Sequence, residues 1–239
     1  MAPKKGRFRA AIDSAWQPSM QMDGRTRPKV ARQPRTEAIC GAMPKLHQAT
    51  IKSLRPTQLT VGMLEVEHKR KKLAAHTPKE QQEFLNAHPM PVVIGPSQQL
   101  YITDHHHLAR AALEAGVVNA CFEVDADLSD FPPEEFWEEM DKNQWVHPLD
   151  HNGIRHVYSH IPCHLDQLVD DVYRSLAGYV RDEGGYDKTP TAFAEFIWAD
   201  FFRRNVAIED LTADFHKSVQ RGVRLARSPI AKRIPGFKG

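Results

Sequence analysis

Cysteine is scarce in this sequence, with Cys40, Cys121 and Cys163 scattered over 239 residues. An odd number at such wide spacing excludes a disulfide framework and a zinc ribbon. No segment approaches the roughly 18 consecutive apolar residues of a transmembrane helix, and the N-terminal region lacks the apolar core of a secretory signal. We therefore expect a soluble protein of the reducing cytoplasm, with no membrane partner.

Acidic residues are absent from segment 215–239, which carries seven basic side chains. Residues 1–45 carry ten basic and three acidic side chains, whereas residues 125–205 carry seven basic and seventeen acidic ones. The net charge of +2 thus conceals basic ends and an acidic middle. Basic ends can contact nucleic acid, but they are also typical of solvated tails, which is the interpretation we prefer.

Periodicity is absent from residues 1–42, which hold four prolines among scattered arginines. We predict a disordered basic extension over residues 1–45, within which Met43 is a candidate alternative start. The patterns that follow predict a mixed α and β domain over residues 46–125, a helical domain over 126–227 and a basic tail over 228–239.

The mixed domain combines short strands with helices whose ends carry recognisable signals. Thr77 and Glu80 form a capping box, Asp104 is a candidate N-cap and Gly116 is the residue type favoured just past a helix end. The predicted elements are strands within 47–54 and 59–61, helices at 64–75 and 78–86, a hairpin of 92–94 and 100–103, a helix at 104–116 and a strand at 117–124.

Helical patterns alone follow residue 125. Helices are predicted at 134–143, 164–182, from Thr189-Pro190 onwards, and at 208–227. Within segment 164–182, we interpret Asp170 with Arg174 and Asp171 with Ser175 as pairs within one helix.

Three histidines, His105, His106 and His107, follow a predicted strand at the first turn of a helix. Unpaired N–H groups and the positive end of the helix dipole meet there, and imidazoles add donors that titrate near neutral pH. The combination suits a phosphate group or a divalent metal. Adjacent helical residues point about 100° apart, so at most two of the three would join one site. The alternative is that they cap the helix or pack against the sheet.

The segments around this turn resemble the core of the ParB/sulfiredoxin superfold. The resemblance rests on residues 91–94, 100–112 and 116–117, with 54–58, 61–62 and 65–66 upstream. The sequence is also similar to the ParB-like nuclease family, including its helical segments 171–177 and 195–200. The similarity covers roughly residues 46–205. It implies an α+β fold, in which a small mixed sheet with helices is followed by an all-helical second domain.

The resemblance implies a phosphate site at the histidine turn. Members often carry Asp-Gly-His-His-Arg at this turn and bind nucleotide phosphates with it. This sequence departs from the pattern at His105, which replaces the glycine, and at Leu108, which replaces the arginine. Arg110 or the basic run Lys69–Lys72 could supply the missing cation.

The resemblance also separates the activities found within the superfold. Sulfiredoxins need a cysteine beside the turn, whereas Cys121 lies on the following strand. Chromosome-partitioning ParB proteins continue into a DNA-binding domain, which the acidic second half disfavours. Free-serine kinases use an early glutamate to activate a hydroxyl, a role open to Glu65 or Glu67. Both also fit a solvated helix face, since Glu65 and Lys69 are spaced as an ordinary i,i+4 pair.

A second group of histidines has repeated four-residue spacing that would align the side chains on a helix. Asn152-Gly153 and Pro162 interrupt any such helix. These rings could still join the histidine turn in space and hold a metal for hydrolysis, although a surface or packing role is the simpler interpretation. The group comprises His147, His151, His156, His160 and His164.

Together these observations predict a ParB-like nuclease or related phosphoester-processing protein, with a nucleotide or phosphorylated small molecule as partner. We expect Glu65, His106 and His107 to be catalytic. A nucleoside di- or triphosphate with a divalent metal is the cofactor that the resemblance allows. The alternatives are a non-catalytic, nucleotide-dependent DNA- or partner-binding module and a small-molecule (amino-acid) kinase. The expected phosphate ligands are Asp104, His105, His106, His107, Lys69 and Arg110.

Overall fold

Residues 46–239 are described by the computed structural model, apart from the side chain of Leu46. Five strands form a mixed sheet in the order β1-β6-β4-β5-β2, and β3 pairs with β7 outside it. The strands are β1 (Leu46–Thr50), β2 (Leu54–Arg55), β3 (Thr60–Val61), β4 (Met90–Gly95), β5 (Gln99–Ile102), β6 (Asn119–Asp127) and β7 (Val169–Asp170). The predicted extension over residues 1–45 and the start at Met43 lie outside the described residues.

Three helices pack on one face of the sheet, and one helix packs on the other. Strand residues alternate between faces, so Val92 and Ile102 enter the larger core while Val93 and Tyr101 meet the smaller core with Phe136. Helices α1 (Met63–Ala74), α2 (Pro78–Ala87) and α3 (His106–Glu114) contribute to the first core, and α4 (Pro133–Lys142) contributes to the second. The predicted hairpin is confirmed, because β4 and β5 pair antiparallel.

The C-terminal half has its own core of aromatic and aliphatic side chains around Trp198. Helices α5 (Val172–Asp182), α6 (Ala194–Asn205), α7 (Ile208–Ala213) and α8 (Phe215–Ala226) surround it. The segment predicted to be a basic tail packs on this core: Ala231 is buried, and Trp198 Nε1 donates to the Pro235 carbonyl at 2.8 Å. Lys238 also pairs with Asp187 at 2.8 Å.

The two halves meet closely where β3 leads into α1. Strand β3 pairs in parallel with β7 of the C-terminal half. The first two N–H groups of α1 are satisfied from that half: Met63 N donates to Asp170 Oδ1 at 2.8 Å and Leu64 N donates to Ser175 Oγ at 3.2 Å. A Cβ on Gly62 would lie 2.6 Å from the Ser175 backbone nitrogen, so only glycine allows this approach. The predicted boundary near residue 125 falls inside β6.

Two predicted helices differ from the observed ones. Helix α5 begins at Val172, and the segment predicted to extend it upstream is instead a 3₁₀ turn (Leu165–Gln167) followed by β7. Leu165 and Leu168 account for this, because both are buried in the core of the first half. The helix predicted over residues 208–227 is interrupted at Asp214, whose side chain caps α8 by accepting from Lys217 N.

The interpretation of Asp170 and Asp171 as members of intrahelical pairs is wrong. Asp170 precedes the helix and caps α1, as described above. Asp171 is the N-cap of α5, and its second carboxylate oxygen accepts from Arg203 of α6 at 2.6 Å. The predicted α+β class is confirmed by the mixed sheet and the further helices. Among the described residues, no helix has the length and apolar character needed to cross a membrane.

Candidate functional site

The histidine turn forms a sharp bend between β5 and α3. The N-cap of α3 is His105 rather than Asp104 as the sequence predicts, and the His105 side chain makes no capping hydrogen bond. Asp104 instead accepts a hydrogen bond from the His105 N–H at 2.7 Å. His105 adopts a left-handed backbone with φ of 66°, a conformation that favours the glycine implied here by the family resemblance. The first-turn N–H groups of α3 lie at the electropositive end of the helix dipole.

His106, which is buried, and His107, which is half-buried, are both hydrogen-bond acceptors. The Nε2 of His106 accepts from Thr57 N at 3.1 Å, and the Nε2 of His107 accepts from Gly62 N at 2.9 Å. A neutral imidazole that accepts at Nε2 carries its proton on Nδ1. Burial lowers the pKa of His106 to about 3 and that of His107 well below its usual value. This geometry disfavours proton transfer by either ring near neutral pH and favours a positioning role, in which both hold α3 against the loop that leads into α1.

Glu65 is a buried carboxylate in the first turn of α1. The residue is 7% exposed, and its Oε1 has no hydrogen-bond partner among the described residues. Its Oε2 lies 3.6 Å from Lys69 Nζ, which confirms the predicted i,i+4 pair. The carboxylate is seated against α5 at Gly178, where an added Cβ would overlap Oε1. The missing side chain of Gly178 thus leaves space for the Glu65 carboxyl group, one oxygen of which lacks a hydrogen bond among the described residues.

Arg174 is the cation that the sequence interpretation missed. It is 4% exposed, and its Nε and Nη1 have no hydrogen-bond partner among the described residues. Its remaining nitrogen lies 3.6 Å from Glu195 Oε2, and the guanidinium stacks 3.5 Å from the centre of the Phe196 ring. Burying a guanidinium with two nitrogens that lack hydrogen bonds destabilises the folded state. A bound anion would accept those hydrogen bonds and remove this cost.

Arg174 is linked to the histidine turn through Gly62, which lies against the next residue, Ser175, and donates its N–H to His107. Burial is the main cause that lowers its pKa, while the charges of Glu65, Asp171 and Asp104 oppose that effect. The guanidinium in turn adds to burial in lowering the pKa of His106 and His107. Arg174 is therefore the candidate for the cation that the family resemblance implies at the position of Leu108. Leu108 itself is buried in the core.

Other predicted site residues are engaged elsewhere. Arg110 lies 2.6 Å from Glu114 and donates to the Leu165 carbonyl at 2.8 Å, so it links α3 to the 3₁₀ turn of the C-terminal half. Glu67 lies on an exposed face, where hydrogen bonds from Arg70 and Lys71 lower its pKa to about 2. This environment disfavours Glu67 as a base and Arg110 as a phosphate ligand.

The second histidine group does not join the histidine turn in a metal centre. Within residues 46–239, no cluster of three or more histidine, cysteine, aspartate or glutamate residues could hold a metal ion. His147 packs against Phe193 and Phe196, and burial lowers its pKa to about 3. His156 and His160 contact each other, and His156 also pairs with Asp150.

Two cavities lie away from the predicted site residues. One, of about 250 Å³, is lined by Arg55, Tyr101, Phe136 and Trp137 among others. The other, of about 330 Å³, lies beside α8 and is lined by residues that include His216 and Arg224. Neither is lined by a residue of the histidine turn.

Comparisons with known proteins place this geometry in a family. A family model described as "Putative ParB-like nuclease" matches residues 47–204. The solved structure of protein Atu1540 from Agrobacterium tumefaciens is 40% identical, covers 82% of this chain and 98% of its own, and superposes with a TM-score of 0.77. No curated protein matches the chain. The expected family resemblance is confirmed, and the chain belongs to the ParB-like nuclease family.

Proposed function

We propose that this protein binds a phosphate group between Arg174 and the N-terminus of α3 and acts on a nucleotide or other small phosphoester. The observation that carries the proposal is Arg174 itself, a buried cation with two nitrogens that lack partners among the described residues. Guanidinium nitrogens match phosphate oxygens in bidentate geometry, and the peptide N–H groups at a helix N-terminus favour anions as well.

The charge of the C-terminal half bears on the size of the ligand. Residues 125–205 carry ten more acidic than basic side chains, which would repel a long polyanion. A mononucleotide or another single phosphoester presents few charges and is repelled less. We therefore favour a small phosphoester over duplex DNA.

Glu65 is the group we assign as general base. Its carboxylate is buried beside α5, on which Arg174 lies one turn before Gly178. A base in this position would accept a proton from an attacking water or hydroxyl once that group lies within hydrogen-bond reach. His106 and His107 then serve by fixing α3, and the anion is held by Arg174 and the peptide N–H groups.

His106 and His107 also leave a non-catalytic binding module as the second candidate. Both rings accept backbone hydrogen bonds, so the proton-transfer groups that the sequence predicted at the turn are committed to structure. In that case phosphate binding would persist without turnover. The two candidates share one anion site and differ only in what Glu65 does.

The test is a thermal-shift panel on the full chain with inorganic phosphate, AMP and MgATP. A ligand at one hundred times its dissociation constant stabilises the folded state by about 2.7 kcal/mol. We expect stabilisation by at least one of these ligands, its loss in Arg174→Gln, and its retention in Arg204→Gln, which changes an exposed arginine of α6. The absence of any shift would contradict the phosphate site.

Turnover of a chromogenic phosphodiester and release of ADP from MgATP then separate the two candidates. An enzyme should lose turnover in Glu65→Gln while that variant still binds phosphate. Phosphate binding without turnover in the unmodified protein would favour the binding module.

A further inference from the structure

Two histidines of the loop between α4 and β7 present ring nitrogens to each other. The Nδ1 atoms of His156 and His160 are 3.1 Å apart, with the ring planes tilted by 37°. The other ring nitrogen of His156, Nε2, lies 2.9 Å from Asp150 Oδ2. His156 is partly exposed and His160 is exposed, so both nitrogens are near solvent.

Asp150 fixes the tautomer of His156. A carboxylate only accepts hydrogen bonds, so His156 Nε2 carries a proton, and in the neutral ring Nδ1 then carries a lone pair. The same carboxylate is anchored by backbone N–H groups of Asn152 and Ile154, at 2.8 and 2.9 Å. The His156 backbone is held as well, because its N–H donates to the Pro148 carbonyl at 2.8 Å.

This arrangement has the form of a carboxylate–histidine–metal relay. Metal-binding histidines commonly donate their second ring N–H to a carboxylate, which orients the ring and raises its basicity. Zinc–nitrogen bonds of about 2.0–2.1 Å in tetrahedral geometry separate two ligand nitrogens by roughly 3.3 Å. The observed separation is close to this value, and His160 needs only to move its proton from Nδ1 to Nε2 to present a second lone pair.

We propose that His156 and His160 form a binding site for a divalent late transition metal such as Zn²⁺, oriented by Asp150. Imidazole nitrogens favour zinc, copper and nickel over magnesium and calcium, which prefer oxygen ligands. Two protein nitrogens leave the remaining coordination positions to water or to an external ligand. This site is independent of the phosphate site proposed above.

The experiment is calorimetric titration of the full metal-free chain with zinc chloride. We expect one equivalent to bind, with affinity at least tenfold lower in His160→Gln and in His156→Gln. Asp150→Asn should lower affinity by roughly 10- to 100-fold through loss of the orienting carboxylate. The matched control is His151→Gln, which removes a histidine of the same loop that contacts Asn152 instead.

Thermal melts of each variant without zinc establish that the loop substitutions leave the fold intact. Saturable binding that depends on His156 and His160 but not on His151 supports the proposal. Absence of zinc binding in the unmodified protein would overturn it. Equal affinity in the unmodified protein and in His160→Gln would overturn it too, as would loss of binding in His151→Gln.

Discussion

Replacement of Gly62 by alanine tests how closely the two halves of the molecule are joined. An added Cβ would lie 2.6 Å from both the backbone nitrogen and the Oγ of Ser175, and 2.9 Å from its Cα. Gly62 has φ of −82° and ψ of 104°, a conformation open to alanine, so the substitution causes no backbone strain of its own. Any cost must therefore come from separating the start of α1 from α5.

The expected loss of unfolding free energy is about 0.5–4.6 kcal/mol, with a central value of about 2.5 kcal/mol. Overpacking against immobile backbone atoms typically costs about 1–3 kcal/mol. The same displacement weakens the bonds from Met63 to Asp170 and from Leu64 to Ser175, and loss of a helix cap costs about 0.5–2 kcal/mol. Alanine also lowers the conformational entropy of the unfolded chain, which offsets only about 0.4–1 kcal/mol of this loss.

Urea unfolding followed by far-ultraviolet circular dichroism measures this loss. The matched control is Gly116→Ala, whose Cβ would meet nothing within 4 Å but whose φ of 77° is unfavourable for alanine. We expect the control to lose about 1 kcal/mol. If Gly62→Ala is as stable as the unmodified protein, or less affected than the control, the close junction is refuted.

Three further predictions concern titration, a buried ion pair and the C-terminal segment. His106 and His147 both have a pKa lowered to about 3 in the folded state, so only the unfolded chain gains their protons below about pH 6.5. The free energy of unfolding should therefore be highest above pH 6.5 and fall towards pH 3 by about 1.4 kcal/mol per pH unit for each ring. Urea titrations at several pH values should give a smaller slope for His147→Asn. Arg203→Met should cost about 3–5 kcal/mol because it leaves the buried Asp171 carboxylate unpaired, and the double variant with Asp171→Asn should recover part of this loss in a double-mutant cycle. Deletion of residues 228–239 should lower the melting temperature because it uncovers the helical core, whereas an unchanged melting temperature would indicate a solvated tail.

Local sequence signals predict the parts of the fold whose causes are local. The capping box of Thr77 and Glu80 and the left-handed Gly116 both occur where the sequence predicts them. Each depends on atoms within a few residues of chain. The predicted helix over 164–182 fails for the opposite reason. Leu165 and Leu168 have helical spacing with the residues of α5, but they are buried in the core of the other half, which no local pattern reveals.

The candidate site shows the same division between local and distant causes. The sequence locates the histidine turn. It does not reveal that His106 and His107 accept hydrogen bonds from the backbone N–H groups of Thr57 and Gly62, which lie 49 and 45 positions upstream. It also places Arg174 in an ordinary helical pair, whereas the fold buries this arginine against Phe196, on a helix that packs on the start of α1. Leu108, at the position where the family resemblance implies an arginine, is the one sequence signal that points to a replacement cation elsewhere in the chain.

Binding of an anion by Arg174 is the central claim, and an arginine Nε–H nuclear magnetic resonance titration tests it most directly. Inorganic phosphate is added to the uniformly ¹⁵N-labelled full chain, with the Arg174 and Arg204 resonances assigned by substitution. We expect the Arg174 signal to shift and saturate while the Arg204 signal stays in place. An Arg174 signal that does not move at any phosphate concentration, or that moves no more than the Arg204 signal, would contradict it.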